Sequence, residues 1–490
     1  LRGREGGNTP PQNLDRGKTA WPAIRRIEEE AATRGSQPIG KTGARMNPEV
    51  VKRYSSPVPR YTSYPTAPHF TDSVGPAQYA QWLAALPAGA RLSLYLHIPY
   101  CDQLCWYCGC STKAVQRYEP VAAYLPSLTA EIESVSARVP ADHRVTHVHW
   151  GGGSPSILRP EDILSLAQAT RARFHLADDA EFAIEADPRG LDETRIAAFA
   201  AAGVNRVSIG VQDFNPEVQK AINRLQSFEV TKNAIATLRE HGIERINIDL
   251  VYGLPHQTRQ SVEATARKVL ELAPSRIAAF GYAHLPQRLK HQRLIDEASL
   301  PGIVERFAQA NRLAHILTAA GYVRIGLDHY ALPDDPLAHG PVNRNFQGYT
   351  TDRADALIGL GATAIGRLPA GYVQNCVPVA DYQRSVASCG LATARGVQLT
   401  EGDRMRGFVI ERLMCDLAFP ADELNRRFGV AAAPILEEAQ MLLEADQDHL
   451  VERDGAAFRI TEKGRPFARA IAACFDSYLG MGEARHAVGV

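Results

Sequence analysis

From about residue 91 the chain falls into a regular alternation of two hydrophobic patterns. Short β-type runs occupy residues 92–98, 145–150, 181–186, 206–211, 245–253 and 276–283. Between them, residues 123–138, 161–173, 192–202, 228–240 and 259–272 carry apolar positions at helical spacing. Strands alternating with helices predict a parallel sheet with helices packed outside it. Six such units predict an α/β fold with a partial (β/α)6 barrel of the TIM type, over residues 91–375. In such folds a site forms at the C-terminal ends of the strands.

The polar residues fall where that rule expects them. The first run leads into a cysteine-rich loop and the second into GGGSP at residues 151–155. The third ends on Glu185 and Asp187, the fourth on Gln212 and Asp213. The fifth carries Asp249, and the sixth ends on Tyr282, Ala283 and His284. Any one of these could simply cap the following helix. Their recurrence at strand ends favours a site.

The flanks read differently. Residues 1–45 are polar and weakly patterned, which predicts a disordered extension with a short helix at 23–34. Glu28, Glu29 and Glu30 argue against a transit peptide, and Met46 is the expected natural start. Residues 46–90 form an arm before the barrel. Residues 376–490 form a separate unit, with helical patterns at 401–414, 421–427 and 433–445. A hairpin turning at Asp454-Gly455 and a final helix at 463–478 complete a winged-helix-like module. It has no strong basic cluster, so a packing or lid role is expected rather than DNA binding.

Charge narrows the function. Lys plus Arg equals Asp plus Glu at 54 each, so no net field draws the chain to nucleic acid. No apolar run is long enough to span a bilayer, and no secretory signal is visible. A cytoplasmic, reducing location is expected, where clustered cysteines are more often metal ligands or catalysts than disulfides.

Four of the eight cysteines lie within CDQLCWYCGC, residues 101–110. A structural zinc site would need a second knuckle, which is absent at the usual spacing. Cys376, Cys389, Cys415 and Cys474 are scattered and read as buried or incidental thiols. An iron–sulfur cluster fits the crowding better. C-x3-C-x2-C supplies three ligands for a four-iron cluster and leaves one iron open.

Cys101, Cys105 and Cys108, with Tyr107 before the last, resemble the signature of radical S-adenosylmethionine enzymes. The resemblance extends to oxygen-independent coproporphyrinogen III oxidases of the bacterial type. It rests on PRYTSYPT (59–66), YLHIPYC (95–101), HWGGGSP (149–155), IEADPR (184–189), GVQDFN (210–215), NIDLVYGLP (247–255), DHYALPDD (328–335) and RNFQGYTT (344–351). The PRYTSYPT arm and the fourth cysteine, Cys110, separate these enzymes from haem-trafficking relatives, which usually carry Phe there.

This resemblance implies one 4Fe-4S cluster on Cys101, Cys105 and Cys108, with Cys110 not a ligand. It implies two S-adenosylmethionine molecules. The first would touch Tyr95, Tyr107, Gly152, Glu185 and Ile365. The second would touch Gly153, Ser154, Gln212, Arg224, Asp249 and Ala283. An adenosyl radical would take hydrogen from a propionate, and two propionates of coproporphyrinogen III would become vinyls. Glu185, Cys110, Gln347 and Tyr61 are the implied catalytic residues, with Arg60, Tyr64, Arg344 and Asn345 as further candidates for substrate contact. A separate electron donor and acceptor are implied, and the chain is expected to act as a monomer.

Three positions depart from the family pattern. Ser154 stands where Thr is common, Tyr107 replaces Phe, and Leu332 occupies a position expected to be Arg. GLGATA (359–364) matches a dinucleotide fingerprint but lies too late in the chain, without the acidic partner that motif needs. The rivals are a haem-binding chaperone or a radical methyltransferase on the same fold, and a structural zinc protein.

Overall fold

The computed structural model describes residues 46–480. The extension before Met46, with the helix expected at 23–34, lies outside the described residues. Six parallel strands form the centre: β1 (Arg91–Ile98), β2 (Arg144–Gly152), β3 (Leu176–Ala186), β4 (Arg206–Gln212), β5 (Arg245–Tyr252) and β6 (Arg276–Gly281). Helices Glu119–Ser136, Pro160–Arg173, Glu193–Ala201, Phe228–Glu240 and Arg259–Glu271 connect or follow them.

Local chemistry explains the boundaries. The Asp192 side chain accepts from Arg195 N–H, and Ser227 accepts from Val230 N–H, each starting a helix. Thr258 and Ser261 form a reciprocal capping box. In β5, Ile246, Ile248 and Leu250 are buried, while Asn247 and Asp249 line a cavity on the opposite face. The period of two thus sends apolar side chains to the helices and polar ones to the concave side.

The sheet is larger than the six units expected. A seventh strand, β7 (Ala356–Leu360), pairs parallel with β1 on the side away from β2. Antiparallel strands Ile365–Leu368, Gly371–Asn375 and Thr393–Gln398 continue that edge, and His329–Ala331 and Val323–Ile325 extend the other beyond β6. The order is linear, so the barrel stays open. The boundary expected at residue 375 is corrected, because the sheet runs to Gln398.

The C-terminal unit packs helices Glu401–Asp416, Ala421–Phe428 and Ala433–Ala445 on a three-stranded sheet. Its hairpin turns where expected, with Gly455 at φ 58° between Val451–Asp454 and Ala457–Ile460. The final helix is shorter than 463–478. A 3-10 turn, Arg465–Phe467, precedes helix Ala468–Ala473. Gly464 is pressed against the Leu450 carbonyl, and beyond the helix Asp476 and Ser477 bond instead to arm tyrosines.

The arm divides between two cores. Tyr79, Trp82 and Leu83 join the core around the sheet. Val50, Val51, Tyr54, Tyr61 and Tyr64 join Val409, Leu413, Phe419, Phe458 and Phe475 of the C-terminal unit. The arm therefore ties the two parts together.

Candidate functional site

A cavity of about 660 Å³ opens on the concave side of the sheet. Tyr107, Cys108 and Cys110 reach it from the cysteine loop. Glu185, Gln212, Asp249 and Ala283 reach it from strand ends, and Gln347 from the hairpin Asn343–Asn345/Gly348–Thr350. Residues distant in the chain thus meet where the strand-end rule expected them.

Glu185 sits at the end of β3. It accepts from His149 Nε2 and from Gly152 N–H, each at 3.2 Å. Burial alone would raise its carboxyl, but the His149 bond and the Gly152 N–H outweigh that and hold it below the usual range. Asp249 accepts from Ser208 Oγ at 2.9 Å and Asn247 Nδ2 at 2.8 Å. Burial still pushes it up to about 6. One wall therefore holds a firm carboxylate and a carboxyl that titrates near neutrality.

The glycines after β2 have steric reasons of their own. Gly152 has φ +110°, and a Cβ there would stand 2.5 Å from the His97 ring. A Cβ on Gly153 would lie 2.3 Å from the Tyr100 carbonyl oxygen. The missing side chains let the end of β2 close onto the strand that carries the cysteine loop.

Several expected residues stand behind the cavity lining. Tyr95 bonds His97 Nδ1 at 3.0 Å and stacks on His149 at 5.9 Å. The Ser154 hydroxyl pairs with Ser156 and accepts from Asp187 N–H at 3.1 Å. Arg224 is buried and donates to Asp187 at 3.0 Å. Ile365 follows the GLGATA turn, which buried Glu131 holds by accepting from Gly361 N–H at 2.6 Å, Asn375 Nδ2 at 2.7 Å and Tyr382 at 2.8 Å. Burial pushes that carboxyl up to about 7. Tyr61 is not brought to the cavity. Its hydroxyl donates to Asp476 at 3.0 Å, inside the core shared with the C-terminal unit.

The model of the Radical SAM superfamily matches residues 95–269, and that of the HemN C-terminal domain matches residues 399–467. The oxygen-independent coproporphyrinogen III oxidase of Bradyrhizobium diazoefficiens is 46% identical over 88% of this chain and 97% of its own. That of Salmonella typhimurium is 40% identical over 88% of this chain and 95% of its own. The solved coproporphyrinogen III oxidase of Escherichia coli, a radical SAM enzyme, superposes with a TM-score of 0.82 at 38% identity, over 86% of this chain and 97% of that one. The chain belongs to the oxygen-independent coproporphyrinogen III oxidase family.

Radical SAM membership brings a 4Fe-4S cluster and S-adenosylmethionine, and the cysteine loop of this coproporphyrinogen oxidase family member suits the cluster. All the loop thiols are free. Cys105 Sγ receives guanidinium N–H groups from Arg224 at 3.5 Å and Arg189 at 3.7 Å. Cys101 Sγ lies 3.1 Å from the Thr112 hydroxyl, and Cys108 Sγ accepts from Cys110 N–H at 3.4 Å. Each of the three sulfurs therefore has a polar neighbour of the kind that orients a ligand. Among the described residues no three His, Cys, Asp or Glu side chains are grouped to hold a single metal ion.

Sequence reasoning overlooked His147 and His149, which line the same cavity. A signal was available: they alternate on β2 in register with Ser93 and Tyr95 of β1. The buried ion pairs of Arg206 with Glu181 and of Arg276 with Asp335 were also overlooked.

Proposed function

We propose that this chain converts coproporphyrinogen III to protoporphyrinogen IX without oxygen, using the 660 Å³ cavity as its reaction chamber. Each of two propionates loses carbon dioxide, one proton and two electrons and becomes a vinyl group. The cluster and S-adenosylmethionine, when bound, supply the oxidant that removes a hydrogen atom from the propionate carbon next to the ring. One further electron per propionate must leave to an acceptor, and an electron donor must prime each turnover.

The residues of this chain bind, orient and enclose. Cys101, Cys105 and Cys108 hold the cluster, with Arg189 and Arg224 steadying the Cys105 sulfur. Two S-adenosylmethionine molecules would draw on two groups of polar residues. Glu185 offers acceptor oxygens beside Tyr95 and His149 for one. Gln212, Asp249 and the Ala283 backbone serve the other. Cys110 and Gln347 line the same cavity and would face the substrate. Arg60 and Arg344 supply cations for a substrate with four carboxylates.

One observation carries this reading: the cysteine loop, the strand-end carboxyls and the arginines all line the same cavity. The homology favours it over a haem chaperone or a methyltransferase, because the similar chains are named as oxidases. No helix among the described residues is long and apolar enough to cross a membrane, and we place the reaction in the cytoplasm.

The test is an anaerobic assay of the cluster-loaded protein with reductant, S-adenosylmethionine, coproporphyrinogen III and an electron acceptor. Protoporphyrinogen IX is expected together with 5′-deoxyadenosine. Deoxyadenosine without vinyl product, with an intact cluster, would reject the decarboxylase reading. Equilibrium dialysis of S-adenosylmethionine is expected to give two molecules per chain.

A further inference from the structure

Beside the large cavity lies a smaller hollow of about 60 Å³. Arg60, Phe280, Gly281 and Arg344 line both spaces, so the two adjoin through a shared wall. The lining of the hollow includes five arginines, Arg60, Arg306, Arg324, Arg344 and Arg469, and a single carboxylate, Asp328.

That carboxylate cannot balance them. Asp328 already bonds His329 Nδ1 at 2.8 Å and stands 3.9 Å from Arg344. Burial would raise its carboxyl, but the His329 bond and the Arg344 cation hold it at about 2. It is therefore fully ionised and supplies one negative charge beside Arg60, Arg306, Arg324 and Arg344. Crowding is felt at Arg469, which burial and the Arg60 cation bring down to about 10.

Donors are left over as well. The Nε groups of Arg306, Arg324 and Arg344, and one terminal nitrogen of Arg344, are buried without a hydrogen-bond partner among the described residues. Arg344 is only 9% exposed. Buried unpaired donors on charged groups are unfavourable, so an anion in the hollow would complete the cluster, although Arg306 and Arg324 each also bond a backbone carbonyl. Its volume is about two waters' share of liquid, roughly 30 Å³ each. That is room for a carboxylate.

We propose that the hollow anchors one propionate carboxylate of the porphyrinogen, and that this propionate is one of the two that are not decarboxylated. The inference rests on the decarboxylase reading and deepens it. Two features set the anchored group apart from the reacting ones. Tyr107, Cys108 and Cys110 line only the large cavity, whereas Arg306 and Arg324 line only the hollow. A carboxylate held in several charge-assisted bonds is also stabilised as the anion, and its loss as carbon dioxide would strand the cations. The hollow thereby fixes the macrocycle's orientation.

The test uses Arg306→Gln and Arg324→Gln, which lie on different elements, so a folding defect in one leaves the other informative. Anaerobic fluorescence titration of the cluster-loaded proteins would follow two probes. Coproporphyrin III carries all four propionates, and protoporphyrin IX keeps only the two that do not react. Both are expected to bind on the order of tenfold more weakly, with unchanged iron content and unchanged S-adenosylmethionine affinity. Arg306→Lys is expected to recover part of the loss. Unchanged affinity for both probes would overturn the proposal. So would weaker binding of coproporphyrin III alone, which would put a reacting propionate in the hollow. Wild-type protein that neither binds these porphyrins nor decarboxylates would instead reject the functional reading itself.

Discussion

Tyr61 and Asp476 lie 415 positions apart in the chain and share a hydrogen bond of 3.0 Å. The bond joins the arm to the last described stretch of the C-terminal unit. It places the Tyr61 hydroxyl in the core shared with the C-terminal unit, which favours a holding role. Tyr61→Phe is expected to lower stability by about 1 kcal/mol while turnover at saturating substrate stays near wild type. Urea denaturation and the anaerobic assay check this. Loss of turnover in a fully stable, cluster-loaded variant would restore a catalytic role.

Arg224 bridges Asp187 and the Cys105 sulfur from a buried position. Removing one member of a buried charged pair costs about 3–5 kcal/mol, moderated here because Arg189 also pairs with Asp187. Arg224→Met is therefore expected to lose both stability and bound iron. Arg224→Lys keeps the cation without the fork and should fall between. Iron analysis after anaerobic reconstitution, alongside thermal melts, separates the two effects.

Cys110 lines the cavity next to Cys108, and its backbone N–H already contacts the Cys108 sulfur. As a cavity-lining residue rather than a ligand, Cys110→Ser is expected to retain full iron content and the iron–sulfur absorption but lose vinyl product. Serine at Cys101, Cys105 or Cys108 should abolish the absorption. Loss of iron from the Cys110 variant would make it a ligand.

Glu131 supplies a pH dependence. Its folded value of about 7 lies above the ordinary 4.5, so the folded chain binds this proton more tightly than the unfolded one. Its contribution is most favourable below about pH 4.5 and is lost as pH rises to about 7. The full span is about 3 kcal/mol. Comparing wild type with Glu131→Gln in urea from pH 4.5 to 8 should show the wild type losing ground steadily as pH rises. A difference independent of pH would refute this.

The strand–helix units were legible because each pattern is local. A strand such as 245–252 declares itself by alternation, and a helix such as 259–271 by its capping box. Strand β7 was not legible. Its short apolar run follows a long irregular stretch, and only its pairing with β1 gives it meaning. The proposed cysteine ligands could be read because three of them share one loop. Ser154 and Arg224 could be located but not their partners, since Ser156, Asp187 and Cys105 engage them only after folding. The arginine hollow was the least visible, because its charges come from five separate places along the chain.

The position of β1 between β2 and β7 bears on the order of events during synthesis. The cysteine loop leaves the ribosome early, but its strand lacks one neighbour until residue 360 is made. The tie at Asp476 comes later still. A nascent chain halted before residue 356 would present its three cysteines beside an unfinished sheet edge. In the full-length protein Cys105 is buried and Cys108 lines the cavity. Delivery of iron to this loop should therefore be faster during translation than after it.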